Sequence, residues 1–141
     1  MKIIVKGLMC REDAVAAMDN GAHAIWVSNG CHLKHETAPS TISVLPAIAQ
    51  AVKAKYPHAE IIIDSGLKRG TDVLKCVAMG ATSVSMGKPV MWGLNFNGKD
   101  GVKDIMSMLN EEIKLGMALT HCFKLTDVSE KQVIHGIKAR M

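Results

Sequence analysis

One pattern recurs four times along the chain: a short apolar run, a turn, and then an amphipathic stretch. The first run is Ile3 to Gly7, followed by helical spacing from about Arg11 to Asn20 with Ala14, Val15 and Met18 on one face. Gly21 supplies the stop that often ends a helix. The second run is Ala24 to Ser28. A polar loop from Asn29 to Ser40 separates it from a helical pattern over about Val44 to Lys55. The third run, Glu60 to Asp64, turns through Ser65-Gly66-Leu67-Lys68-Arg69-Gly70 into a helix from Thr71 to Met79. The fourth, Ser83 to Met86, is followed by Gly87-Lys88-Pro89, a short helical segment and a long helix over about Gly101 to Leu119. From Leu125 on the chain is polar and reads as a loosely held tail.

The strand runs are continuous rather than alternating, which predicts strands buried on both faces in a parallel sheet. Strand–helix alternation predicts an α/β fold. A doubly wound sheet and a (βα) barrel both satisfy it. A complete (βα)₈ barrel needs roughly 250 residues, so 141 residues supply half of one. Such a half leaves two open strand edges, which invite pairing with another chain as a homo- or hetero-oligomer.

Composition narrows this further. With 48% hydrophobic and 21% charged residues the chain has material for one core and is not disordered. It has no apolar run of about 18 residues, so no membrane span is expected. The net charge of +4 is scattered and the aromatic content is 4%, which argues against nucleic-acid binding. The N-terminal stretch does not read as a secretory signal. Cys10, Cys31, Cys76 and Cys122 form neither a CxxC pair nor a zinc ribbon and read as free thiols. The ten methionines read as core filler.

Sites in α/β folds lie at the C-terminal ends of the strands. Lys6, Ser28, Asn29, Asp64, Gly66, Lys68, Gly87 and Lys88 fall there. The last two loops suit an anion. Glycines let backbone N–H groups come close, a following helix N-terminus adds its dipole, and lysine adds a full charge. The competing reading is plain turn glycines and solvated lysines. Cys31, His32 and His35 could form a metal site or a Cys–His pair, but no zinc spacing or fourth ligand is evident, so they read as polar loop residues. Glu111 and Glu112 read as the solvated face of the long helix.

Together these blocks resemble a known family. Ile4-Val5-Lys6-Gly7, Glu12-Asp13-Ala14, Val27-Ser28-Asn29, Asp64 to Val73, Met79-Gly80-Ala81, Gly87-Lys88-Pro89-Val90 and Met117 to Cys122 are similar, in order and interval, to blocks of the FMN-dependent α-hydroxy-acid oxidases, which include glycolate and lactate oxidases. The resemblance covers about positions 2 to 127. It implies an FMN-dependent domain over 1–127, a polar tail over 128–141, and a TIM barrel of which this chain matches strands five to eight. It implies that a 2-hydroxy acid is oxidised to a 2-oxo acid with FMN as cofactor. It also implies that Lys6 lies near flavin N1 and O2, where its charge stabilises the reduced flavin. Ser28 would contact the flavin, and Asp64, Gly66, Lys68, Gly87 and Lys88 would hold the ribityl chain and phosphate.

The chain departs from the family's pattern at several points. Lysines stand at 68 and 88 where arginine is usual, which loses the bidentate fork. Ser65 replaces a usual glycine. The family's Ser-Asn-His-Gly-Gly-Arg reads Ser28-Asn29-Gly30-Cys31-His32-Leu33 here. Gly30 therefore stands at the position of the proton-abstracting histidine, and Leu33 at that of the arginine that pairs with the substrate carboxylate. His32 and Lys34 could substitute only if the loop backbone shifted. The resemblance thus implies either a truncated oxidoreductase or a non-catalytic FMN- or phosphate-binding remnant that associates with full-length relatives. The terminal Ala139-Arg140-Met141 is similar to the peroxisomal address.

Overall fold

The structure is a computed structural model, and it describes residues 1–30 and 37–133. Cys31, His32, Leu33, Lys34, His35 and the terminal Ala139-Arg140-Met141 lie outside the described residues.

Four βα units follow one another. Strand β1 (Ile4–Leu8) leads to α1 (Arg11–Asp19), β2 (Ala24–Val27) to α2 (Thr41–Lys55), β3 (Glu60–Ile63) to α3 (Gly70–Ala78) and β4 (Ser83–Val84) to α4 (Lys88–Leu119). All strand pairs are parallel and the sheet order is β1-β2-β3-β4. A doubly wound sheet reverses its strand order at a switch point. This sheet has no reversal, so the winding is that of a barrel.

The expectation of burial on both faces is corrected. Val5, Ile25 and Ile61 share one cross-strand row, and Leu8, Val27, Ile63 and Val84 share the next such row on the same face. These pack with Ala14 of α1 and Leu45, Ile48, Ala49 and Val52 of α2 in one core. The opposite face carries the rows Ile4, Ala24, Glu60 and Lys6, Trp26, Ile62, Ser83. Of these, Ile4, Lys6, Glu60 and Ser83 are exposed, and Trp26 and Ile62 only half-buried. A continuous apolar run suits burial on two faces, but the helices of this chain cover one. Among the described residues the edges of β1 and β4 are unpaired. Beside β4 a groove of about 600 Å³ opens under α4, lined by Val77, Val84, Met86, Met106, Ile113 and Leu125 among others.

One helix boundary differs from the expectation in a way that matters for the site. Helix α2 starts at Thr41 rather than Val44, because Thr41 is buried and its hydroxyl is used elsewhere. As expected, a short helical segment and a long helix follow Gly87; they lie within Lys88–Leu119 and are separated by non-helical backbone at Asn97 and Gly98. After α4 the chain is not a bare tail. Single 3₁₀ turns at Leu125–Asp127 and Glu130–Gln132 are closed by side chains: Asp127 Oδ2 accepts from the backbone N–H of Phe123 and Lys124, and Gln132 Oε1 from that of Ser129. Val133 reaches the core.

Candidate active site at the strand ends

Lys6 points out of the open face near the C-terminal end of β1. Its Nζ lies 3.0 Å from Asp64 Oδ2 and 4.3 Å from the centroid of the Trp26 ring. The register that pairs Lys6 with Trp26 across the strands sets the ring contact. Asp64 stands just past β3, where its backbone N–H donates to Val27 O and holds it beside β2. Three strands thus converge on one ammonium.

Several contacts fix Asp64 in turn. Burial pushes its carboxyl up, but hydrogen bonds from Ser28, Lys6 and Ser65, with the charge of Lys6, outweigh this and hold it below the ordinary carboxylate value. Ser65 Oγ donates to Asp64 Oδ1 at 2.8 Å. The Thr41 hydroxyl donates to the carbonyls of Asp64 and Ser65 at 2.7 and 3.1 Å, clamping this loop to the start of α2. Ser65 adopts φ 73°, a left-handed conformation that costs a non-glycine residue about 1–2 kcal/mol. These bonds are what hold it there.

Ser28 and Asn29 are buried at the end of β2. Asn29 Nδ2 donates to Pro39 O at 3.3 Å, whereas its Oδ1 is buried without a partner among the described residues. Gly30 has φ 63°, and its N–H donates back to Ser28 Oγ at 3.3 Å. The position holds only backbone. Among the described histidines, His23 and His58 precede β2 and β3 and His121 follows α4, so none stands at the C-terminal end of a strand.

The two glycine loops differ. After β3, Asp72 Oδ2 accepts from the backbone N–H groups of Lys68 and Arg69, both at 3.1 Å. Glu112 Oε2 accepts from Gly70 N–H at 2.6 Å, and its Oε1 lies 3.2 Å from Arg69 Nε. The reading of Glu112 as a solvated residue is therefore corrected: α4 reaches across to tie down the start of α3. After β4, by contrast, α4 begins at Gly87 with no side-chain cap and with Pro89 in its first turn. A side chain added at Gly66 or Gly87 would meet nothing within 4 Å. The side chains of Lys68 and Lys88 are exposed and make no ion pair or hydrogen bond among the described residues.

Of the residues predicted from sequence, Lys6, Ser28 and Asp64 form one connected cluster. Gly66 and Lys68 occupy the adjoining loop. Gly87 and Lys88 occupy the loop of the neighbouring strand. Trp26, Thr41 and Glu112 were not foreseen. Thr41 follows Ser40 ahead of an apolar run, which is a legible helix-start signal. Trp26 and Glu112 act across 20 and 42 residues of sequence and leave no local signal. Among the described residues no cluster of His, Cys, Asp or Glu could hold a metal. The described cysteines Cys10, Cys76 and Cys122 are free, and burial pushes the Cys76 thiol up to about 12, which makes it inert.

Four βα units with consecutive strand order define a barrel-type α/β fragment, with lysines and glycines at the C-terminal ends of its strands. The model of the FMN-dependent dehydrogenase family matches residues 1–135, and the chain belongs to that family. It is 46% identical over 129 residues to a 2-hydroxyacid oxidase of Dictyostelium discoideum, covering 92% of this chain and 32% of that protein. It is 41% identical to the peroxisomal (S)-2-hydroxyacid oxidase GLO4 of Arabidopsis thaliana, covering 94% and 36%. The crystal structure of a mandelate oxidase with benzoyl-formic acid superposes with a TM-score of 0.85 at 37% identity, covering 91% of this chain and 37% of that one. The chain spans about a third of the length of the curated relatives it matches. Among the described residues no helix is long and apolar enough to cross a membrane.

The residues present fit the phosphate and ribityl end of FMN. An uncapped helix N-terminus, an open glycine and two unengaged lysines suit a phosphate. Asp64, with Ser28 and Ser65, offers hydroxyl-compatible hydrogen-bonding groups beside it.

Proposed function

We propose that this chain is an FMN-binding half-barrel of a 2-hydroxy-acid oxidoreductase that holds the cofactor but does not itself take the substrate proton. The observation that carries the reading is the contrast at the strand ends. The cluster of Lys6, Ser28 and Asp64 is assembled, while position 30 offers only backbone.

FMN, when bound, would accept the two electrons released as a 2-hydroxy acid becomes a 2-oxo acid. The chain's own residues would act around it. Lys68, Lys88 and the N-terminus of α4 would bind the phosphate. Asp64 and Gly66 would face the ribityl chain. Lys6 would set its charge against the pyrimidine edge. Proton removal needs a base within about 3 Å. Gly30 has none, and Asp64 is held ionised against the upward push of burial by hydrogen bonds from Ser28, Lys6 and Ser65, which makes it a weak base. Loss of a general base costs about 10²–10⁴-fold in rate. With Leu33 standing where a carboxylate clamp is usual, substrate positioning is lost as well.

The open face, with Ile4, Trp26 and Ile62, and the unpaired edges of β1 and β4 support association with a second chain that completes the barrel. The name of one relative, a peroxisomal (S)-2-hydroxyacid oxidase, supports a peroxisomal setting.

The test is to purify the chain, add FMN, record the visible spectrum, and then add glycolate or lactate. Retained flavin without bleaching is the expected result. Bleaching at the rate of a full-length relative would overturn the claim that Gly30 disables proton removal. Failure to retain any flavin would overturn the cofactor role.

A further inference from the structure

We propose that Trp26 is a positioning residue for Lys6: its indole face holds the ammonium at the C-terminal end of the sheet, where the charge meets the flavin. The inference rests on the FMN reading above.

Lys6 and Trp26 stand side by side in the register of β1 and β2, on the face that the helices leave open. A lysine head on its four-carbon stem is otherwise free to swing, and the Lys6 side chain is 53% exposed. Two contacts restrain it, and they differ in kind. Asp64, at 3.0 Å, supplies a full negative charge, which both holds Lys6 and cancels its field. The Trp26 ring, with its centroid 4.3 Å from Nζ, attracts the cation through its quadrupole and carries no net charge. It can therefore fix the ammonium without neutralising it. When a bound cofactor presents electron-rich atoms to Lys6, the indole keeps the head in place while the charge stays available.

The second feature is the indole nitrogen. Trp26 Nε1 is buried without a hydrogen-bond partner among the described residues. Buried indoles usually find an acceptor, so at this position it is the ring face that is used and not the N–H. Trp26 is also absent from the helix-covered core, which contains its strand neighbours Ile25 and Val27. Its place is on the open face beside Lys6 rather than in that helix-covered core.

The experiment is a double-mutant cycle on the full chain, with FMN affinity read from quenching of flavin fluorescence. Trp26→Leu is expected to weaken FMN binding by about three- to tenfold, the range of a cation–π contact. Trp26→Phe, which keeps a ring and removes the orphaned N–H, is expected to stay within about twofold. In a Lys6→Met background, Trp26→Leu is expected to have no further effect. An equal loss in both backgrounds would show that the indole touches the flavin directly, and would overturn the positioning role.

A second readout needs no flavin. With Nζ 4.3 Å from the ring centroid, the adjoining Lys6 ε-methylene protons are expected to be shifted upfield by the ring current, in the native chain and in Trp26→Phe but not in Trp26→Leu. If the native chain binds no FMN yet shows this shift, the FMN reading fails and the Trp26–Lys6 placement stands. If the shift is missing from the native chain, the placement itself is overturned.

Discussion

The loops after β3 and β4 look alike in sequence, each with glycine and lysine ahead of a helix, yet the fold uses them differently. In the first, most polar groups answer to protein. Asp72 takes the N–H groups of Lys68 and Arg69, Glu112 takes that of Gly70, and Thr41 takes the carbonyls of Asp64 and Ser65. In the second, the helix start has no side-chain cap, and the space at Gly87 is open. The difference teaches that glycine and lysine before a helix do not by themselves make an anion site. What decides is whether carboxylates of the helix or its neighbour have already claimed the donors. The first loop is a rigid arm that carries Asp64 and the Lys68 side chain, and the second offers the backbone donors.

The sharpest way to break this comparison is to add one methyl group to each loop. A Cβ at Gly70 would lie 2.6 Å from Glu112 Cβ, 2.7 Å from Ile113 N and 2.8 Å from Leu109 O. Two of these are backbone atoms of α4 and cannot swing away. Gly70→Ala is expected to destabilise the fold by about 3 kcal/mol, at the upper end of overpacking costs. Gly87 has a negative φ of −104° and no neighbour within 4 Å. Gly87→Ala should stay within about 0.5 kcal/mol, as surface changes usually do. Urea melts of the two variants give the answer. Equal stabilities would mean that α4 does not press on the start of α3.

A smaller effect separates the loops by ligand. Lys88 stands at the open helix start, where charge and dipole act together. Lys68 adds a charge beside donors that are already engaged. Lys88→Met is expected to weaken FMN binding about tenfold, a loss of about 1.4 kcal/mol. Lys68→Met should cost less, about threefold. Titration of both variants under one salt concentration is the measurement. A larger loss at Lys68 would reverse the assignment of the loops.

Much of this was legible in the sequence, and what was not has physical reasons. The β-branched runs at Ile3–Val5 and Ile61–Ile63 and the turn at Ser65-Gly66 mark strand ends, and hence the places where chemistry can sit. Lys6, Ser28 and Asp64 follow from that placement. The half-covered sheet was not legible, because an apolar run records that a strand can be buried on two faces and not who does the burying. Glu112 looked solvated because a carboxylate on a long helix reads as part of its exposed face, and only the close approach of α4 to Gly70 gives it a partner. Trp26 read as one more apolar strand residue, and its contact with Lys6 exists only through the parallel register.

The smallest expected effect concerns the pair that links the rigid arm to β1. The Asp64 carboxyl is held below its ordinary value, so the folded state favours its ionised form. A group with a depressed folded value contributes stability above its unfolded value, near 3.9 for aspartate, and loses it as pH falls through the lower folded value. Asp64→Asn keeps the shape and removes the charge. Because Lys6 is half exposed, solvent screens the pair and the loss at neutral pH should be about 0.5 kcal/mol. The difference between native and variant should be constant from pH 7 down to about pH 5, then shrink toward zero as the native carboxylate takes up its proton. Urea midpoints measured from pH 7 to pH 3 trace it. A difference that survives unchanged at pH 3 would show that Asp64 acts through its shape and its bonds to Ser28 and Ser65. The first loop would then be a rigid arm by packing alone, with no part of its rigidity owed to Lys6.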